Sequence, residues 1–113
     1  MIRADSYDEV REYLLRYAAD DWLMLSTVVD LAEGVAGDGA SVRDVAEMTM
    51  QLATDLADDA CPPGDLPDDQ GFVPWPGGRT VQLERLRSEL FGFVERDELP
   101  QIGEICWFHK IEA

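Results

Sequence analysis

Cys106 and His109 are the only thiol and imidazole that lie close together in this chain, and His109 is its single histidine. A nucleophilic cysteine needs a base within reach and a third group to orient that base. Residues three apart are neighbours on a helix, whereas on a strand they point to opposite faces. The tail around the pair reads IGEICWFHKIE, rich in β-branched and aromatic residues, which favours a strand and so argues against a dyad. Metal binding calls for clustered His or Cys with carboxylates, and neither cysteine has ligand spacing around it. The acidic stretch DLPDDQG lacks the alternation and terminal Glu of a calcium-binding EF-hand loop. The segment GVAGDGA has glycines but no lysine, and it does not follow a strand, so it is no phosphate loop. These patterns predict a non-enzymatic protein with no metal and no cofactor.

Charge carries more information than any of these motifs. The chain holds 24 Asp and Glu against 9 Lys and Arg, for a formal net charge of −15 over 113 residues. Residues 1–50 carry eleven acids and four bases, residues 51–70 six acids and no base, and residues 71–113 seven acids and five bases. A field of that sign repels nucleic acid and anionic membrane and steers basic partners inward. Salt adaptation also produces acidic, Lys-poor chains, but it should spread the acid evenly, and the C-terminal third is nearly balanced. Eight of the nine bases are Arg, and Ala, Asp and Gly are abundant, a composition typical of a GC-rich genome. With 46% apolar residues the acid is laid on a folded body rather than on a disordered tail. No apolar run approaches the roughly 20 residues that cross a bilayer. The start MIRADSYDEVREY lacks the apolar core of a secretory signal, so a cytoplasmic location is expected. Cys61 and Cys106 lie 45 residues apart. That leaves a disulfide open, with two reduced, partly buried thiols as the expectation in a cytosolic chain.

A chain of this length fits one domain with one modest core, taken as residues 1–113. Ser6 and Glu9 form a capping box ahead of Val10, Tyr13, Leu14, Tyr17 and Ala18, one apolar face of a first helix. Asp20 or Asp21 is expected to cap a second helix with Trp22, Leu25, Val28, Val29 and Ala32 inward, stopped by Gly34. Ser41 with Asp44 opens a third, whose face runs from Val42 to Ala60 and ends at CPPG. Residues 65–78 contain three prolines and cannot be a central strand. Edge segments near Gly64–Leu66 and Phe72–Trp75 are expected to pair as a small wing. Thr80 is expected to cap a fourth helix that buries Leu83, Leu86, Leu90, Phe91 and Val94, with Gly92 weakening its last turn by about 1 kcal/mol. The resulting expectation is a mainly α (α+β), winged-helix-like domain of about four helices with a small β wing. Trp107 and Trp22, each with apolar neighbours, are expected in the core.

A winged-helix outline raises DNA binding, but the third helix sets Arg43 and Gln51 against Asp44, Glu47, Asp55, Asp58 and Asp59. Each unpaired acid near phosphate is repulsive, so direct nucleic-acid binding by this face is rejected.

The order DWLMLSTVVDLA, VRDVAEMTMQLATDLADD, PPGDL, GFVPW, LERLRSEL and IGEICWF spans roughly residues 14–108. It resembles small acidic bacterial proteins, common in actinobacteria, that share a PGDL, GF-x-PW and terminal G-[DE]-I-x-W-F pattern. Their function is uncharacterised, and some resemble immunity proteins of toxin systems. This chain differs in carrying Asp58-Asp59-Ala60-Cys61 where those proteins have an apolar turn.

Charge and resemblance together lead to the expectation of an acidic inhibitory protein that neutralises a basic partner, as an immunity protein or nucleic-acid mimic does. The docking surface is expected at Asp55, Asp58, Asp59, Asp65, Asp68 and Asp69, with Trp75 as aromatic anchor. A core position under the wing is the competing reading of Trp75. The alternative function is a structural or regulatory module that self-associates through the apolar tail Ile102–Ile111.

Overall fold

The computed structural model describes residues 6–67 and 70–111 as one α+β body of four helices and a small antiparallel sheet. The helices are α1 (Tyr7–Asp20), α2 (Leu25–Ala36), α3 (Val42–Asp58) and α4 (Arg79–Val94). The strands are β1 (Leu23–Met24), β2 (Pro63–Asp65), β3 (Val73–Pro74) and β4 (Trp107–Phe108), in sheet order β1-β4-β2-β3.

The central helix is α3, which packs against α1, α2 and α4. Its sequence explains that position. Val45, Ala46, Thr49, Met50, Leu52, Ala53 and Leu56 are all buried, an arc too wide for a helix with a single neighbour. Each fully buried Leu along it stabilises the fold by about 1.5–3 kcal/mol. The expected capping box is present: the Ser41 hydroxyl accepts the Asp44 amide at 3.0 Å, and the Asp44 carboxylate accepts the Ser41 amide at 3.2 Å. At the start of α1, the Ser6 hydroxyl accepts the Glu9 amide at 3.4 Å.

Helix α3 stops before CPPG, by its own hydrogen bonds. The Ala60 amide reaches the Ala57 carbonyl and the Cys61 amide reaches the Leu56 carbonyl, with Ala60 at φ 64°. This is a Schellman stop carrying Ala where Gly is usual. Helix α4 ends the same way, with Asp97 at φ 59° and the Glu98 amide on the Phe93 carbonyl. Neither stop has a glycine signature, and neither is legible from residue types.

Several boundaries differ from the sequence expectation. Residues 23–24 form β1, so α2 starts at Leu25 rather than at Asp20 or Asp21, and Trp22 lies at the surface, 46% exposed. Helix α2 runs through Gly34 to Ala36 and stops at Gly37, whose φ is 92°. The residue ahead of α4 is Gly78, so Thr80 lies within the helix. On α4, Leu86 and Leu90 are buried as expected, joined by Gln82, while Leu83, Phe91 and Val94 are half-buried.

The hairpin of β2 and β3 pairs Gly64 with Pro74 and Asp65 with Val73, within the two segments expected to pair. It does not project as a wing. Strand β4 covers the other side of β2 through Pro63–Phe108 and Gly64–Trp107, then pairs with β1 through Leu23–Phe108. An interior strand accepts Pro63 because proline stands at its first residue and offers a carbonyl, which takes the Trp75 amide at 3.0 Å. Pro74 sits on the edge strand β3, where a missing donor costs least.

Among the described glycines, Gly64 is the one crowded by neighbouring backbone. A Cβ there would lie 2.4 Å from the Val73 carbonyl oxygen and 2.8 Å from the Pro74 Cα, inside van der Waals contact. Urea denaturation should therefore show Gly64→Ala destabilised by about 1–3 kcal/mol, the usual cost of overpacking. Ala60→Gly should gain about 1 kcal/mol, because Ala60 carries the left-handed conformation that glycine adopts freely. Equal midpoints for wild type and both variants would contradict these backbone assignments.

Candidate protein-binding surface

The acids expected to dock a partner fall into three groups. Asp55, Asp58 and Asp59 come together at the C-terminal end of α3, and each meets a different part of the chain. Asp55 accepts the Tyr7 hydroxyl of α1 and lies 3.3 Å from the Arg11 guanidinium. Asp58 pairs with Arg79 at the start of α4. Asp59 lies 3.5 Å from the Lys110 ammonium. The negative end of a helix macrodipole disfavours carboxylates there, and these cations offset that penalty. Three acids read as a free surface are thus internal fasteners that remain partly exposed.

Asp65 and Trp75 form the second group. The Trp75 indole donates to the Asp65 carboxylate at 3.1 Å, and its carbonyl accepts the Gln82 side-chain amide at 2.6 Å. The Arg85 guanidinium lies 3.7 Å from the centre of the indole ring and pairs with Glu89 at 2.8 Å. Trp75 is 2% exposed. The ring closes the hairpin onto α4, which is the core-lid position and leaves no indole surface for a partner. Asp68 and Asp69, the third group, lie outside the described residues.

A second seam joins α3 to α4. Arg87 grips Glu47 with two hydrogen bonds of 2.9 Å, and its guanidinium lies 4.5 Å from the centre of the Phe91 ring. The paired guanidinium holds the Glu47 carboxyl below the usual carboxylate range. Across the described residues, six bases stand in ion pairs: Arg11, Arg79, Arg85, Arg87, Arg96 and Lys110.

Both cysteines are buried free thiols. Cys61 donates to the Asp59 carbonyl at 3.6 Å; burial, helped by the Asp59 charge and opposed by Lys110, pushes its thiol up to about 11. Burial pushes the Cys106 thiol well above its ordinary value, with Glu89 and Asp65 acting in the same sense and Arg85 against them. His109 is engaged elsewhere: Nδ1 lies 2.9 Å from the Asp21 carbonyl oxygen, and the ring stands edge-on to Phe72. A thiolate nucleophile at Cys106 is disfavoured by its surroundings. No group of three or more His, Cys, Asp or Glu among the described residues could hold a metal ion.

Sequence reasoning missed an aromatic groove at the end of α1, lined by Tyr13, Arg16, Tyr17, Asp20 and Asp21. Its signal was present as two tyrosines four residues apart, but both read as core positions. Trp22, taken for a buried α2 residue, lies exposed directly after it. The tail Ile102–Ile111 is mostly committed to the sheet and the core: Cys106 and Phe108 are buried, while Ile102 is 80% and Ile111 40% exposed.

Two outcomes follow. Asp55→Asn, Asp58→Asn and Asp59→Asn should each lower stability by up to about 1 kcal/mol, the range of partly exposed pairs, with smaller losses at high salt. Chemical denaturation at two ionic strengths checks this, and salt-independent losses would contradict the ion-pair account. Stability should also fall on the alkaline side. The unfolded chain ionises its cysteines near 9 while folded Cys61 waits until about 11. The stabilisation is therefore complete below pH 9 and is lost as the pH rises through 11. Tyr7 adds to the loss from about pH 10, since burial and then its bond to Asp55 hold its hydroxyl protonated. Each such group steepens the fall by at most about 1.4 kcal/mol per pH unit. Urea midpoints from pH 8 to 11 should show the decline, and Cys61→Ala should flatten it.

No protein-family model, no curated protein and no solved structure matches this chain.

Proposed function

We propose that this chain is a non-enzymatic acidic protein that binds and neutralises a basic partner, with a nuclease toxin as the first candidate. The mode of action would be that of an immunity protein or a nucleic-acid mimic. One observation carries the reading. Asp8, Glu12, Asp20, Asp30, Glu33 and Asp38, on α1, α2 and the loop that follows, are exposed, and none has a cation within ion-pair distance among the described residues. Unpaired like charge destabilises a compact state. Bases brought by a partner would relieve that repulsion, and the long-range field would speed their arrival.

The docking surface in this reading moves from the end of α3 to the α1 and α2 side, because the α3 acids already hold internal cations. Uniform salt adaptation fits the charge bias of the sequence less well, since residues 71–113 carry seven acids against five bases. There Glu89 and Glu98 pair with Arg85 and Arg96, while Glu84, Glu95 and Asp97 are exposed without an ion pair among the described residues. Nucleic acid suits this reading poorly as a partner, because the exposed acids of α1, α2 and the loop after α2 would face phosphate with the wrong sign. No helix among the described residues is long and apolar enough to cross a membrane. The reading goes with a cytoplasmic location.

The exposed side chain of Ile102 favours a second reading, a self-associating module. One experiment separates the two. The tagged protein is incubated with lysate of its source at about 50 mM and about 500 mM salt, either side of strong screening. Retained proteins are identified by mass spectrometry, purified and tested for one-to-one inhibition. A basic protein retained at low salt, weakened at high salt and inhibited by the chain is the expected result. Capture of the chain alone at both salts would overturn the neutralising role in favour of self-association.

A further inference from the structure

We infer that the groove at the C-terminal end of α1 receives an arginine side chain from the basic partner, an inference that rests on the binding reading above. The groove is an open depression of about 400 Å³ between Tyr13, Arg16, Tyr17, Asp20 and Asp21. The two tyrosine rings stand edge to face, with centroids 6.0 Å apart and planes at 68°. Aromatic faces attract guanidinium groups electrostatically, and a flat guanidinium stacks on them as a compact ammonium cannot.

Charge complementarity selects the occupant. Helix α1 has no basic residue in its last turn, where the negative end of its macrodipole lies; the one cation it brings to the groove is Arg16, just before that turn. Asp20 and Asp21 stand exposed at that end. Trp22, 46% exposed, follows them, its amide held by the Asp21 carboxylate at 2.7 Å. On the inner side, the Asp21 carbonyl faces His109 Nδ1 at 2.9 Å and the Ala18 carbonyl takes the Lys110 amide at 2.9 Å, which ties the rim to the sheet end of the fold. The Lys110 ammonium itself is directed to Asp59. Arg16 is the one base of the lining, so two carboxylates oppose one guanidinium. It has no ion-pair partner among the described residues.

The chain repeats internally the arrangement it would offer. Arg85 lies 3.7 Å from the Trp75 ring centre while pairing with Glu89, and Arg87 lies 4.5 Å from the Phe91 ring centre while gripping Glu47. An incoming arginine would stack on Tyr13 or Tyr17 and bond to Asp20, the same combination of ring and carboxylate.

The test uses the full chain, ¹⁵N-labelled, titrated with acetyl-Gly-Arg-Gly-amide at low salt, with acetyl-Gly-Lys-Gly-amide as comparison. The largest saturable shifts are expected at residues 13–22 and the Trp22 indole, with the arginine peptide binding at least threefold tighter. Asp20→Asn should weaken binding at least threefold, as should Tyr17→Ala. Asp20→Asn alters an exposed side chain, so it remains informative should Tyr17→Ala unfold. The double variant Asp30→Asn/Glu33→Gln should bind within twofold of wild type. Shifts spread evenly over the acidic surface, equal affinity for the two peptides, or equal weakening by the control would overturn the groove. That result would leave the neutralising role standing if the salt-sensitive complex with a basic protein still forms.

Discussion

The fold is closed by the insertion of β4 between β1 and β2. Trp107 and Phe108 bring the end of the chain against residues that precede them by more than eighty positions and by more than forty. Phe108 is fully buried in the process. Further backbone bonds extend this closure: the Leu25 amide on the Cys106 carbonyl, the Lys110 amide on the Ala18 carbonyl and the Ile111 amide on the Ala60 carbonyl. Closing loops of that length costs entropy that grows slowly with length, while the hydrogen bonds and the buried ring favour closure at each point. Strand β1, the interior position of β2 and the placement of Lys110 beside Asp59 all depend on it.

Scarcity of bases shapes the electrostatics. Nine cations cannot pair 24 acids, and four of the six described ion pairs stand at joints between elements: α1 to α3, α3 to α4, and the C-terminal segment to α3. Individually such exposed pairs contribute little. Their arrangement still decides where exposed negative charge is left without an ion pair among the described residues: most of it lies along α1, α2 and the loop after α2, with Asp44, Glu84, Glu95 and Asp97 among the acids elsewhere. The acid-rich end of α3 and the acid-rich face of the molecule are therefore different places.

Buried polarity is resolved with equal economy. Gln82, mostly buried, reaches the Trp75 carbonyl, and Thr49 returns its hydroxyl to Val45 four residues back. No buried side-chain nitrogen or oxygen among the described residues lacks a partner. A core so satisfied offers no orphaned polar group to mark a cavity for chemistry. Aromatic rings and carboxylates do meet at a surface depression, the open groove at the C-terminal end of α1.

Local order was legible because it is local. The capping box at Ser41, the 3.6-residue pattern of α3, the hairpin near Gly64 and Val73, and the strand in the tail follow from residue types within a few positions. The net charge and its bias toward the first seventy residues were equally plain. The tertiary structure alone decided which carboxylates are fastened and which are free, because Asp55, Asp58 and Asp59 meet bases that lie 44, 21 and 51 residues away. It alone buried Trp75 and exposed Trp22, since an aromatic ring has the same local signature in a core and at a surface. Burial depends on what the rest of the chain brings to the ring: Arg85, Gln82 and Asp65 close over Trp75, while Trp22, just ahead of β1, is left 46% exposed. Composition set the sign of the field; long-range packing set its location.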